Sequence, residues 1–97
     1  MMESKLNFNE ASSQFELEVD GQTAFVEYFT EGQKIYLTHT EVPEDLRGNG
    51  IGTKLIKQTL QYIKKHHWVL VPQCAFVSAY VNDHPEWHSI LSEGYQM

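Results

Sequence analysis

Ninety-seven residues, 41% of them hydrophobic, supply one compact core and no material for a second, so residues 1–97 read as a single domain. The formal net charge of −6 argues against nucleic acid as a partner, because a phosphate backbone demands a basic face. The one cysteine excludes an internal disulfide and a cysteine-rich zinc site; with no hydrophobic leader and no apolar run near the ~18 residues of a span, a cytoplasmic protein away from membranes is expected.

The chain opens with alternating apolar residues in two short groups, Leu6 and Phe8, then Phe15, Leu17 and Val19, which predict strands. Asp20-Gly21 is a hairpin signal. Ala24, Val26 and Tyr28 against Phe25 and Phe29 continue as a further strand, and a turn over 30–33 leads into another from Lys34 to Val42. Simple alternation along this last strand predicts Ile35, Leu37, His39 and Glu41 on one face, with Tyr36, Thr38, Thr40 and Val42 on the other.

The most informative stretch follows. An extended segment gives way to a basic, glycine-rich turn with Gly48, Gly50 and Gly52, and then to the first turn of a helix. Glycine allows a ligand to approach the backbone closely, and a helix start offers unpaired N–H groups and the positive end of its dipole to an anion. Arg47 adds a fixed positive charge, so a phosphate-bearing ligand is expected. The spacing is not that of a dinucleotide fingerprint, whose third glycine would fall on Thr53, nor that of a P-loop, since no glycine precedes Lys and Ser or Thr. An ordinary glycine-rich strand-to-helix turn is the plain alternative.

From Ile51 the period changes to that of a helix. Ile51, Leu55, Ile56, Thr59, Leu60 and Ile63 trace its inner stripe to about His66. Val69–Val71 is an apolar run suited to a buried strand, ended by Pro72. A helix is expected over about 75–83, and His84-Pro85 breaks it and opens a last short helix through Leu91. The order of elements predicts an α+β fold.

Arg47-Gly-Asn-Gly-Ile-Gly52 fits the pattern [QR]-x-x-G-x-[GA]. Together with His39-Thr-Glu-Val-Pro43, Pro72-Gln-Cys74 and Ala79-Tyr-Val…His84-Pro-Glu-Trp87, it makes the chain resemble the small stand-alone GNAT-superfamily acetyltransferase-like proteins of the YjdJ type, from about Phe15 to Leu91. Pro43 sits four residues before Arg47, where larger relatives have three. The resemblance implies a mixed, largely antiparallel sheet with splayed central strands and packed helices. It also implies a coenzyme A pyrophosphate cradled by Val42, Arg47, Gly48, Asn49, Gly50, Ile51, Gly52 and Thr53.

The same resemblance puts the acetyl end of acetyl-CoA near Cys74, a candidate acyl acceptor whose plain reading is a small buried hydrophobe. His39 is a candidate base, either for an incoming ammonium or for Cys74; Glu41 is an alternative base or the group that orients His39. A strand histidine hydrogen-bonded at the edge of the core explains His39 equally. Tyr80 is a candidate acid for the departing thiolate, or a ring packed on the sheet. His84 and His88, four apart, invite a metal, but no third ligand is nominated, and Pro85 stands where H-E-x-x-H has its glutamate.

The resemblance therefore implies acetyl-CoA-dependent N-acetylation of a small-molecule or protein amine, with no metal. The alternatives are a module that binds acetyl-CoA with little transfer, and an interaction domain whose glycine turn is structural.

Overall fold

The period-two segments form four antiparallel strands, and the apolar run after the long helix adds a fifth. The structure, a computed structural model, describes residues 6–92. Its elements are β1 (Leu6–Asn9), β2 (Gln14–Val19), β3 (Gln22–Glu31), β4 (Lys34–Glu41), α1 (Ile51–Lys65), β5 (Val69–Pro72) and α2 (Ala75–Asp83). One sheet runs in the order β1-β2-β3-β4-β5, antiparallel except for β5, which lies parallel to β4. This is the α+β architecture expected. Two 3₁₀ turns depart from expectation. Glu44–Leu46 coils where an extended approach to the glycines is predicted, and the last short helix, Pro85–Ile90, is 3₁₀. Leu91 instead bridges to Leu70 on the outer edge of β5.

The inner stripe of α1 buries Leu55, Ile56, Thr59, Leu60 and Ile63 against Phe15, Leu17, Ala24, Val26, Ile35 and Leu37 of the sheet. Val77 and Val81 of α2 join the same core, so both helices cover one face. Thr59 is tolerated there because its hydroxyl donates to the Leu55 carbonyl at 2.8 Å. One end of the core is aromatic. Phe8, Phe15, Tyr28 and Tyr62 meet with ring centroids 5.0 to 5.4 Å apart. Burial there, then the charge of Glu10 and the neighbouring Tyr62, push the Tyr28 phenol up from its ordinary value. Fully buried Phe15 is the hub of this cluster. Phe15→Ala is expected to cost about 3–5 kcal/mol, a large share of the ~5–15 kcal/mol a domain this size holds, read as a lower urea midpoint.

Among the described residues, no helix covers the other sheet face. Cross-strand pairing sets Phe25 between Glu16 and Glu41, and Glu27 opposite His39. Phe29 stacks on Tyr36 with centroids 4.4 Å apart and planes within 5°. No lysine or arginine among the described residues pairs with Glu16, Glu27 or Glu41. Lys54, Lys57, Lys64 and Lys65 are all exposed on α1, on the opposite side of the molecule.

A β-bulge decides what β4 presents. Val26 pairs with Thr40 and Glu27 with His39, but Tyr28 pairs with Leu37, leaving Thr38 as the additional residue. Uninterrupted alternation therefore fails beyond Leu37. His39 and Glu41 join Phe25 and Glu27 on the outer face, while Thr40 joins Val26 on the inner one.

The sheet also splits at this point. Pairing of β4 with β5 runs only from Lys34–Val69 to Leu37–Pro72. The Leu37 carbonyl then accepts from two N–H groups, those of Gln73 (3.0 Å) and Cys74 (2.9 Å). Beyond it β4 continues to Glu41 without a strand partner on that side among the described residues.

Candidate functional site

The glycine turn sits between the end of β4 and the start of α1. Gly48 (φ 85°) and Gly50 (φ 75°) both occupy the left-handed region, which costs any residue with a Cβ. A Cβ at either would meet nothing within 4 Å, so their requirement is conformational and the backbone there faces open space. Gly50 is the N-cap of α1, and its carbonyl accepts the helix's first bond, from the Lys54 N–H at 3.0 Å. The N–H groups of Ile51, Gly52 and Thr53 have no acceptor one turn back. Arg47 is tethered beside the turn by its Nε, which donates to the Val42 carbonyl at 3.1 Å.

These groups surround a cavity of about 360 Å³. Val42, Arg47, Gly48, Gly50, Ile51, Gly52 and Thr53 line it, joined by Thr40, Leu46 and Phe76. Of the residues expected here, only Asn49 is absent from the lining. Unpaired N–H groups, the helix dipole, a guanidinium and unfilled space make the turn a fit for a diphosphate. The apolar walls suit a ligand that continues beyond the phosphates.

Thr40, Leu46 and Phe76 are not legible as site residues in the sequence. Thr40 reaches the cavity only because the bulge turns it inward. Leu46 is buried by the 3₁₀ turn, which Pro43 followed by Glu44-Asp45 does announce as a helical start. Phe76 carries a weak signal: Val77 and Val81 account for the buried face of α2, leaving this phenylalanine without a place in the core.

The cavity leads to Cys74 through Thr40. Cys74 is half-buried at the N-cap of α2, and its Sγ lies 3.2 Å from the Thr40 hydroxyl oxygen. Cys74 itself is not part of the lining. His39 and Glu41 are brought together, with His39 Nε2 3.6 Å from a Glu41 oxygen, but on the outer face, their side chains 56% and 46% exposed. The structure therefore does not bring His39 to the face that carries the Thr40–Cys74 pair.

Tyr80 lies one helical turn beyond Phe76, outside the lining, its ring stacked on His84 at 4.0 Å. His84 Nδ1 bonds the Tyr80 carbonyl at 2.7 Å and His88 Nε2 the Val81 carbonyl at 3.0 Å, so both imidazoles are engaged by backbone. No group of three metal-binding side chains occurs among the described residues. Trp87 is buried in the core, with the Lys64 ammonium 6.0 Å from its ring, and Trp68 is partly buried against the core. No described helix is long and apolar enough to cross a membrane.

Two comparisons bear on this arrangement. The fold is similar to the NMR solution structure of a Staphylococcus aureus protein described as GCN5-like. That likeness has a TM-score of 0.68 and 20% identity, and covers 95% of this chain and 94% of that one. Residues 14–90 match the model of the GCN5-related N-acetyl-transferase family. Matched from the start of β2 to the last 3₁₀ turn, the chain belongs to the GCN5-related N-acetyltransferases.

Proposed function

We propose that the protein transfers an acetyl group from acetyl-CoA to an amine, of a small molecule or of a protein. One observation carries this reading: a single cavity runs from an open anion-binding turn to Thr40, whose hydroxyl holds the Cys74 thiol. Arg47 and the N–H groups of Ile51, Gly52 and Thr53 would hold the diphosphate, and Val42 and Ile51 the chain beyond it. The co-substrate supplies an acyl group activated as a thioester.

The amine must be neutral to attack. The His39–Glu41 pair suits the role of base on the outer face, with Glu41 orienting the imidazole. Its position favours taking a proton from an incoming ammonium over activating Cys74. Cys74 remains the candidate acyl acceptor on the inner side, at the N-cap of α2 and beside the Thr40 hydroxyl. Tyr80, stacked on His84 outside the cavity, has no part in this proposal.

Intact-mass spectrometry after incubation with acetyl-CoA, on wild type and Cys74→Ser with dissociation constants from the same samples, tests the reading. An acetyl adduct absent from Cys74→Ser and discharged by an added amine supports transfer through the thiol. Amine acetylation without an adduct supports direct transfer. Binding with neither outcome identifies an acetyl-CoA-binding module, and absence of binding overturns the coenzyme A reading.

A further inference from the structure

Phe76 is the residue whose place the fold itself does not explain. Its side chain is 43% exposed, whereas the other exposed large apolar residue among those described, Phe29, is stacked on Tyr36. The Phe76 ring nevertheless packs against another element. It lies across the first turn of α1, so close that a Cβ on Gly52 would come within 2.7 Å of Cζ and 3.3 Å of Cε2. Val42 Cγ2 closes the same spot at 3.4 Å. Gly52 has an ordinary helical backbone, unlike Gly48 and Gly50, so conformation does not require glycine there. What glycine makes room for is this ring, whose far end would have to shift to admit a Cβ.

The ring also lines the cavity together with the glycine turn and Thr40. Phe76 follows Cys74 by two residues, and its edge rests on Gly52, whose N–H belongs to the unpaired set at the start of α1. A ligand reaching from the turn to Thr40 shares the cavity with this ring. A diphosphate gains nothing from an aromatic surface, whereas a chain of methylenes and amides is stabilised by covering one.

We propose that Phe76, positioned by Gly52, is the wall on which the pantetheine arm of coenzyme A lies, and that it makes the site select coenzyme A thioesters over nucleotides carrying the same diphosphate. This rests on the coenzyme A reading above.

The test compares wild type, Phe76→Ala, Gly52→Ala and the double variant by thermal unfolding and by affinity for two probes. Dephospho-coenzyme A and ADP share the nucleotide and diphosphate and differ in the arm. Phe76→Ala is expected to weaken dephospho-coenzyme A about tenfold, for loss of roughly half a ring's burial, and to leave ADP unchanged. Gly52→Ala is expected to lower the melting temperature in the wild type and to raise it in the Phe76→Ala background, where the contact is gone and alanine is the better helix former.

Equal losses for both probes, or no loss for either, would overturn the role of the wall. The same sign of Gly52→Ala in both backgrounds would overturn the positioning by Gly52. If wild type binds neither dephospho-coenzyme A nor coenzyme A, the functional reading fails and this inference goes with it. The melting-temperature reversal is read without any ligand, so the two failures are distinguishable.

Discussion

Replacing His39 with glutamine is expected to lower the rate of amine acetylation about 10²–10⁴-fold, the usual contribution of a general base, while acetyl-CoA affinity stays unchanged. The separation of the two effects follows from the bulge at Thr38. It turns His39 and Glu41 to the outer face and Thr40 to the inner one, where the cavity is. An outer-face residue reaches an arriving ammonium without touching the diphosphate site. The loss should shrink at high pH, where the acceptor is already neutral and needs no base. Alkylation of Cys74 by iodoacetamide should proceed at the wild-type rate in His39→Gln, since the imidazole is not on the thiol's face. Steady-state kinetics with acetyl-CoA and amine varied separately would read the split. A fall in acetyl-CoA affinity matching the fall in turnover would show that His39 acts on the cavity side.

Gly50→Ala should weaken coenzyme A binding about tenfold and also cost ~1–2 kcal/mol of stability, because alanine must either hold φ near 75° or let the turn relax. A relaxed turn re-aims the N–H groups of Ile51, Gly52 and Thr53, which act together on one anion. Gly32→Ala is the matched control. Gly32 has φ 61°, with nothing near its would-be Cβ, but it lies in the turn between β3 and β4. It should show a similar stability loss in chemical denaturation and full coenzyme A affinity. If both variants bind alike, the turn's shape is not what holds the ligand.

The parts of this molecule that a reader of the sequence recovers are those fixed by local chemistry. The stripe of α1 is legible because one helix face meets one core, and every expected residue from Leu55 to Ile63 is buried. The glycine turn is legible because a left-handed backbone and a helix start both leave marks in the chain. The bulge leaves none. Nothing in Leu37-Thr-His-Thr-Glu41 marks Thr38 as the extra residue, since the bulge exists only in the pairing of β4 with β3. That one residue reverses the facing of His39, Thr40 and Glu41, and with it which side chains can share a task. The Phe76–Gly52 contact is hidden for a related reason: the two residues are distant in sequence, and the loop pattern accepts glycine or alanine at position 52 alike.

The segregation of charge has a kinetic consequence. Arg47 and Lys54 lie at the diphosphate turn and Lys57, Lys64 and Lys65 further along α1, while Glu16, Glu27 and Glu41 lie on the opposite face of the sheet. The two faces of the sheet thus carry different local charge within a net of −6. On the proposed reading its two reactants carry opposite charge, a polyphosphate and an ammonium, and each is drawn toward its own side. Neither encounter obstructs the other, which favours assembly in random order, and added salt would slow both arrivals.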